Sequence, residues 1–167
     1  MEPLVDCVIE DPRWEDVGLE ALALTATRAT LAALGLPDTG LTLVVMGCDD
    51  ARIATLNADF RGKPTPTNVL SWPAWDLSAE EEGAAPEAPE VGTAEEPEAL
   101  GDIAIAYETC AREAAEAGKP MADHVTHLLI HGLLHCLGHD HVREGDAEVM
   151  EALEVRILAS LGLPDPY

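Results

Sequence analysis

Apolar positions along the chain change their spacing from stretch to stretch, and each change marks a predicted element. LVDCVIE (4–10) predicts a first strand. Residues 17–34 then place Leu19, Leu22, Ala23, Ala26, Thr30 and Leu34 at helical spacing, with Asp16 or a neighbour as the cap and Gly35 and Pro37 as the stop. LTLVVMG (41–47) predicts a buried strand, and DDARIATLNADF (49–60) a helix started by Asp49 or Asp50. TNVLSWP (67–73) is a short strand closed by Pro73, and GDIAIAY (101–107) another in which Ile and Ala alternate. Helices follow over 108–118, 121–137 and 144–161. Strands and helices mix without a strict βαβ repeat. The predicted class is therefore α+β: one domain spanning 1–167, with a small mixed sheet of about four strands packed with about five helices.

Composition fits that picture and limits it. A chain of 167 residues suits one domain with one sizeable core. With 47% hydrophobic residues but only 4% aromatic, the core must rest mainly on Leu, Ala, Val and Ile. No stretch approaches the roughly 20 apolar residues of a membrane span. The acidic start MEPLVDCVIEDPRWED lacks the apolar region of a signal peptide, so the expected location is cytoplasmic, with no membrane partner. Cys7, Cys48, Cys110 and Cys136 form no CxxC pair and are expected as small buried hydrophobes. Cys136 lies beside a histidine cluster, which already has a full set of ligands without it.

Charge is the discordant feature. Thirty-two acidic residues against 9 basic ones give a net charge of −23, which by itself argues against binding a polyanion. The excess is uneven: from Lys63 to Arg112 there is no basic residue and there are 11 acidic ones. Most fall in DLSAEEEGAAPEAPEVGTAEEPEA (76–99), a segment of Ala, Glu, Pro and Gly that reads as a flexible acidic insertion within the domain.

All six histidines lie within 18 positions, in MADHVTHLLIHGLLHCLGHDH (121–141). His131 and His135 are four apart, hence one turn apart on one helix face, a spacing that lets two imidazoles chelate one ion. Gly138 can end the helix in a left-handed conformation and turn the chain back, so that His141 approaches the same ion from outside the helix. Three neutral imidazoles leave a fourth position for water, the pattern of a catalytic zinc site with one Zn²⁺. Bound Zn²⁺ lowers the pKa of its water to about 7. His124 and His127 share roughly the same stripe and read first as exposed or packed histidines, with a supporting or substrate-contacting role as the alternative. Asp140 could orient an imidazole or cap the turn, and both readings stay open.

The spacing H-x-x-x-H-x-x-G-x-x-H is also that of a metzincin protease, but those enzymes carry Glu directly after the first histidine. Here that position is Gly132, which argues against peptide hydrolysis. A second constellation, LNADFRGKPTPTNVLSWP (56–73), places Arg61 and Lys63 around Gly62, followed by Pro64 and Pro66. A stiff loop presenting arginine suits bidentate phosphate recognition, although alone it would read as a solvated basic loop.

Together these segments resemble the YbeY family, the bacterial metal-dependent endoribonucleases also called rRNA maturation factors. HGLLHCLGHDH (131–141) is similar to the family's H-G-x-L-H-L-x-G-x-D-H signature. LNADFRGKPTPTNVLSWP resembles its LN-x-x-FR-x-x-x-x-PTNVLSFP block, and GDIAIA (101–106) its GDI-x-I strand. The three blocks occur in the family's order, and the resemblance covers nearly the whole chain. The resemblance implies that His131, His135 and His141 are zinc ligands and that Arg61 lines the same cleft. It also implies action in ribosomal RNA processing, notably maturation of the small-subunit rRNA 3′ end, and in ribosome quality control. Departures are Cys136 for the usual Leu, His139 at a position often aromatic, Trp72 for Phe, and the acidic insertion.

The expected chemistry is hydrolysis of single-stranded RNA, with metal-bound water or hydroxide attacking the phosphodiester. Arg61 pairs with the non-bridging oxygens, and Lys63 assists in binding the substrate. Attack by the ribose 2′-hydroxyl is the alternative route. The expected partners are ribosomal RNA, the small subunit and its proteins, with the protein itself a monomer. Two other readings are a metallopeptidase-like hydrolase and a ribosome-assembly factor with little catalysis of its own, which the net charge of −23 favours.

Overall fold

A computed structural model describes residues 3–167. Four strands and six helices follow in the order β1 (Val5–Ile9), α1 (Arg13–Val17), α2 (Leu19–Ala33), β2 (Leu41–Cys48), α3 (Asp50–Arg61), β3 (Val69–Pro73), β4 (Glu98–Ala106), α4 (Tyr107–Ala117), α5 (Met121–Cys136) and α6 (Glu144–Ser160). The strands form one mixed sheet in the order β1-β2-β4-β3. β1, β2 and β4 run parallel, and β3 joins β4 antiparallel at the edge. This is an α+β single domain, as the periodicity predicts. No described helix is long and apolar enough to cross a membrane.

The Ile/Ala alternation of β4 explains how the two faces are covered. Ile103 and Ile105 join Leu129, Ile130, Leu133 and Leu134 in the main core. Their neighbours Ala104 and Ala106 face the other way, into a smaller cluster with Ile53 of α3 and Leu70 of β3. Large residues on one face and small ones on the other therefore let α5 and α3 approach the same strand from opposite sides. Gly132 belongs to this packing. A Cβ there would stand 3.2 Å from Ile103 Cδ1, so the position where a metzincin carries its general base points here into the helix–sheet contact.

Three boundaries correct the sequence-based expectation. The helix expected over 17–34 spans Leu19–Ala33, and a short helix that the periodicity does not predict, Arg13–Val17, precedes it and brings the count to six. Gly18 adopts φ 79° between them, closing α1 and standing as N-cap of α2, so Asp16 lies inside α1 and caps nothing. The break lets Trp14 turn into the core, where its indole N–H donates to the Cys48 carbonyl at 2.9 Å over the bare Gly47. Periodicity alone does not see this, because Trp14 is fixed by β2, far away in sequence. β4 begins at Glu98, three residues before the expected start, because Leu100 forms a bulge opposite Thr42 and Leu43. Tyr107, assigned to that strand by its alternation, opens α4 instead.

The acidic segment before β4 runs in irregular backbone against the start of α6. Arg143 donates to the carbonyls of Ala79 and Glu80, both at 2.9 Å. Glu82 accepts from the Gly145 backbone N–H and Asp146 from that of Gly83, both at 2.8 Å.

Candidate active site

α5 buries Leu129, Ile130, Leu133 and Leu134, and the same helical periodicity leaves His131 and His135 half-buried on the opposite side. The helix ends in a Schellman turn. His139 N–H donates to the Leu134 carbonyl at 3.0 Å and Gly138 N–H to the His135 carbonyl at 3.1 Å, with Gly138 at φ 98°. A side chain at Gly138 would also collide with the backbone of Leu77. The reversed chain brings His141 back beside the helix, its ring centroid 5.3 Å from that of His131.

Across from α5, the final turn of α3 carries Arg61. Asp49 caps the start of that helix by accepting from Arg52 N–H at 2.8 Å, and Gly62 ends it at φ 70°. Arg61, His131, His135 and His141 line one open cleft of about 640 Å³. The segment Thr67–Ser71 forms another wall, and Phe60 and Tyr167 stand on its rim. Arg61 is exposed and makes no ion pair among the described residues, so its guanidinium is available to a ligand. Lys63 lies on the adjoining exposed turn and does not line the cleft.

Two side chains that the sequence did not single out hold the helical histidines. Ser71 Oγ lies 2.6 Å from His135 Nδ1. Glu154 of α6, only 1% exposed, lies 3.4 Å from His131 Nδ1 and 2.6 Å from His127 Nε2, and accepts from the Tyr167 hydroxyl at 2.9 Å. Burial pushes the Glu154 carboxyl up, but the hydrogen bonds from His127 and His131 outweigh it and hold the group ionised, at about 2. The sequence signal for Glu154 is an acidic residue on the apolar stripe formed by Met150, Ile157 and Leu158. Ser71 carries no such signal, because its partner is 64 residues away.

The remaining histidines divide. His127 lines the cleft and is tied to it through Glu154. His124 instead pairs with Glu113 at 3.0 Å, and the same carboxylate accepts from Asn68. Asp140 accepts from the backbone N–H of His141 at 2.7 Å and so caps the turn.

The donor chemistry suits a metal ion. Ligation uses a neutral imidazole whose second ring nitrogen is held by another group. Nδ1 is the held nitrogen of both His131 and His135, and Nε2 of each has no hydrogen bond among the described residues. Burial lowers the pKa of His135, which favours the neutral ring. The three imidazoles share a cleft without forming a ready-made cluster: among the described residues, no three His, Cys, Asp or Glu side chains are drawn together in a ligating group.

A mixed sheet with a histidine-bearing helix packed on it, and an arginine lining the same cleft as those histidines, defines a small α+β protein. Comparison with known proteins makes the class specific. The family described as endoribonuclease YbeY matches residues 9–162, and the chain belongs to that family. A protein of Cereibacter sphaeroides named endoribonuclease YbeY is 67% identical over 167 residues, covering all of both chains. One of Ruegeria sp. strain TM1040 with the same name is 58% identical over 98% of this chain and 96% of its own. The solution structure of TM1509 from Thermotoga maritima shares the fold, with a TM-score of 0.55 over 95% of this chain and 91% of that one, at 17% identity.

Proposed function

We propose that this YbeY-family protein is a metal-dependent endoribonuclease that cuts single-stranded RNA during ribosomal RNA processing. Its substrate would be the 3′ end of small-subunit rRNA, and its setting the cytoplasm, among small-subunit proteins and in ribosome quality control. The observation that carries the reading is that Arg61 faces His131, His135 and His141 across one cleft.

In this reading His131, His135 and His141 hold one Zn²⁺. Exposed His141, on an irregular turn, would supply the third imidazole. Zn²⁺ bound there would supply Lewis acidity and lower the pKa of a water molecule to about 7. Ser71 and Glu154 fix the rings of His135 and His131, so that each presents Nε2 toward the cleft. The Arg61 guanidinium binds two non-bridging phosphate oxygens and stabilises the negative charge that grows on them in the transition state. Lys63, on the adjoining turn, adds long-range attraction for the strand in an otherwise acidic surface.

The test is cleavage of a single-stranded RNA carrying the small-subunit rRNA 3′ end, with metal content measured on the same samples. Arg61→Ala should keep its metal and lose roughly 10²- to 10³-fold in kcat, the usual cost of one donor to a developing anion. His135→Ala should lose both. Full cleavage by metal-free protein would sink the proposal, as would casein hydrolysis in place of RNA hydrolysis.

A further inference from the structure

Of the chain's six aromatic residues, Trp72 is half-buried and packs edge-to-face on Phe60 with centroids 5.4 Å apart, and the other five divide between the core side and the surface. Trp14 and Tyr107 pair edge-to-face with centroids 5.4 Å apart, Trp14 wholly buried. Phe60, Trp75 and Tyr167 are 54%, 60% and 64% exposed, and all three line cavities that meet at His135 and Asp140. Phe60 and Tyr167 stand on the Arg61 cleft. Trp75 walls a second cavity of about 320 Å³, which shares His135 and Asp140 with that cleft. In a protein so poor in aromatic residues, no core requirement explains three exposed rings around one site.

Trp75 is also held in place. Ala74 N–H donates to the Leu100 carbonyl at 3.0 Å, which continues the β3–β4 pairing up to the residue before it. Asp76, the residue after it, accepts from the Ser78 backbone N–H at 3.1 Å and also from the Ser78 hydroxyl. The indole is thus presented from a turn fixed on both sides, which keeps the ordering cost of binding low. The cavity beside it contains Asp76 and Asp140 and no Lys or Arg, so it is unsuited to a phosphate. A flat, neutral ring is the chemistry it fits.

We propose that Trp75 is a base-stacking platform: its cavity takes an unstacked nucleobase of the same RNA strand whose phosphate lies at Arg61. This rests on the endoribonuclease reading and adds to it a second point of attachment. Stacking on an aromatic face uses no positive charge, and it is how single-stranded nucleic acid is commonly gripped. It therefore accounts for how a chain of net charge −23 can hold a polyanion. It also imposes single-strandedness, because a paired base has no free face to offer.

The experiment is fluorescence anisotropy of labelled oligoadenylate titrated with the whole chain, read before cleavage products accumulate, with the intact probe checked on a gel. Intrinsic tryptophan fluorescence is followed in parallel. Trp75→Ala should weaken binding roughly 5- to 150-fold, the range for losing one stacked base. Trp75→Phe should restore most of the affinity but sharply reduce the quenching that RNA causes in the wild type, leaving only what Trp72 beside Phe60 reports. Circular dichroism should be unchanged in both, since the side chain is exposed. Unaltered affinity in Trp75→Ala would overturn the platform and leave the ring as a protein-contact residue. Quenching of the same size in Trp75→Phe as in the wild type would overturn it too, since Trp72 beside Phe60 would then account for all of it. A wild type that cuts RNA normally beside a Trp75→Ala variant of equal affinity would discard this inference alone; a wild type that neither binds nor cuts RNA would discard the endoribonuclease reading with it.

Discussion

Ser71 Oγ on the edge strand β3 lies 2.6 Å from Nδ1 of His135 on α5, so a sheet edge and a helix face meet at one imidazole. The contact selects which ring nitrogen is left for a ligand. Ser71→Ala should therefore lower zinc affinity by roughly 10- to 100-fold while leaving the fold intact. Competition against a chromophoric chelator measures this directly, and unchanged affinity would show that the serine is only packing.

Glu154 should matter to the fold and to the site together. It is 1% exposed and gathers His127, His131 and Tyr167. Glu154→Gln keeps the shape but loses the charge that two of those partners lean on. We expect a loss of about 1–3 kcal/mol in urea unfolding, together with weaker zinc binding. Glu154→Ala should cost more, because it also leaves a cavity.

Gly132→Glu restores the metzincin residue in the sequence but should not create a peptidase. The new side chain would enter the contact between α5 and Ile103, where a carboxylate has no partner. A loss of more than about 3 kcal/mol is expected from burying an unpaired charge in a packed interface. A stable variant with casein-cleaving activity would contradict the packing role assigned to Gly132.

The buried thiol of Cys48 predicts an alkaline limit to stability. Burial, helped by Glu10 and Asp49, pushes it from 9.0 up to about 12. The folded state thus holds its proton more tightly than the unfolded chain does. The stabilisation is complete below pH 9 and declines as the pH rises through the folded value, by at most about 1.4 kcal/mol per pH unit for one proton. Cys48→Ala should flatten that decline in melts recorded from pH 8 to pH 11. For the same reason Cys48 should resist iodoacetamide at pH 8 in the folded protein and react once urea is added.

The sequence by itself determined a good deal. Four strands were legible because Val, Ile and Leu cluster in short runs, and His131, His135 and Gly138 could be placed because helical spacing and the Schellman turn are local. The acidic excess, and the absence of Glu after His131, were also plain from the residues. The tertiary structure decided what depends on distance along the chain. Gly18 became a break because Trp14 had to reach Cys48, and Gly132 owes its identity to Ile103. Ser71 and Glu154 joined the site because β3 and α6 pack against α5. Exposed aromatics such as Trp75 look ordinary in the sequence, and only the fold puts them on two cavities that share His135 and Asp140. The physical reason is the range of the interaction. Periodicity and turn chemistry report on neighbours a few residues apart, whereas a site is made of side chains that only the packed core brings together.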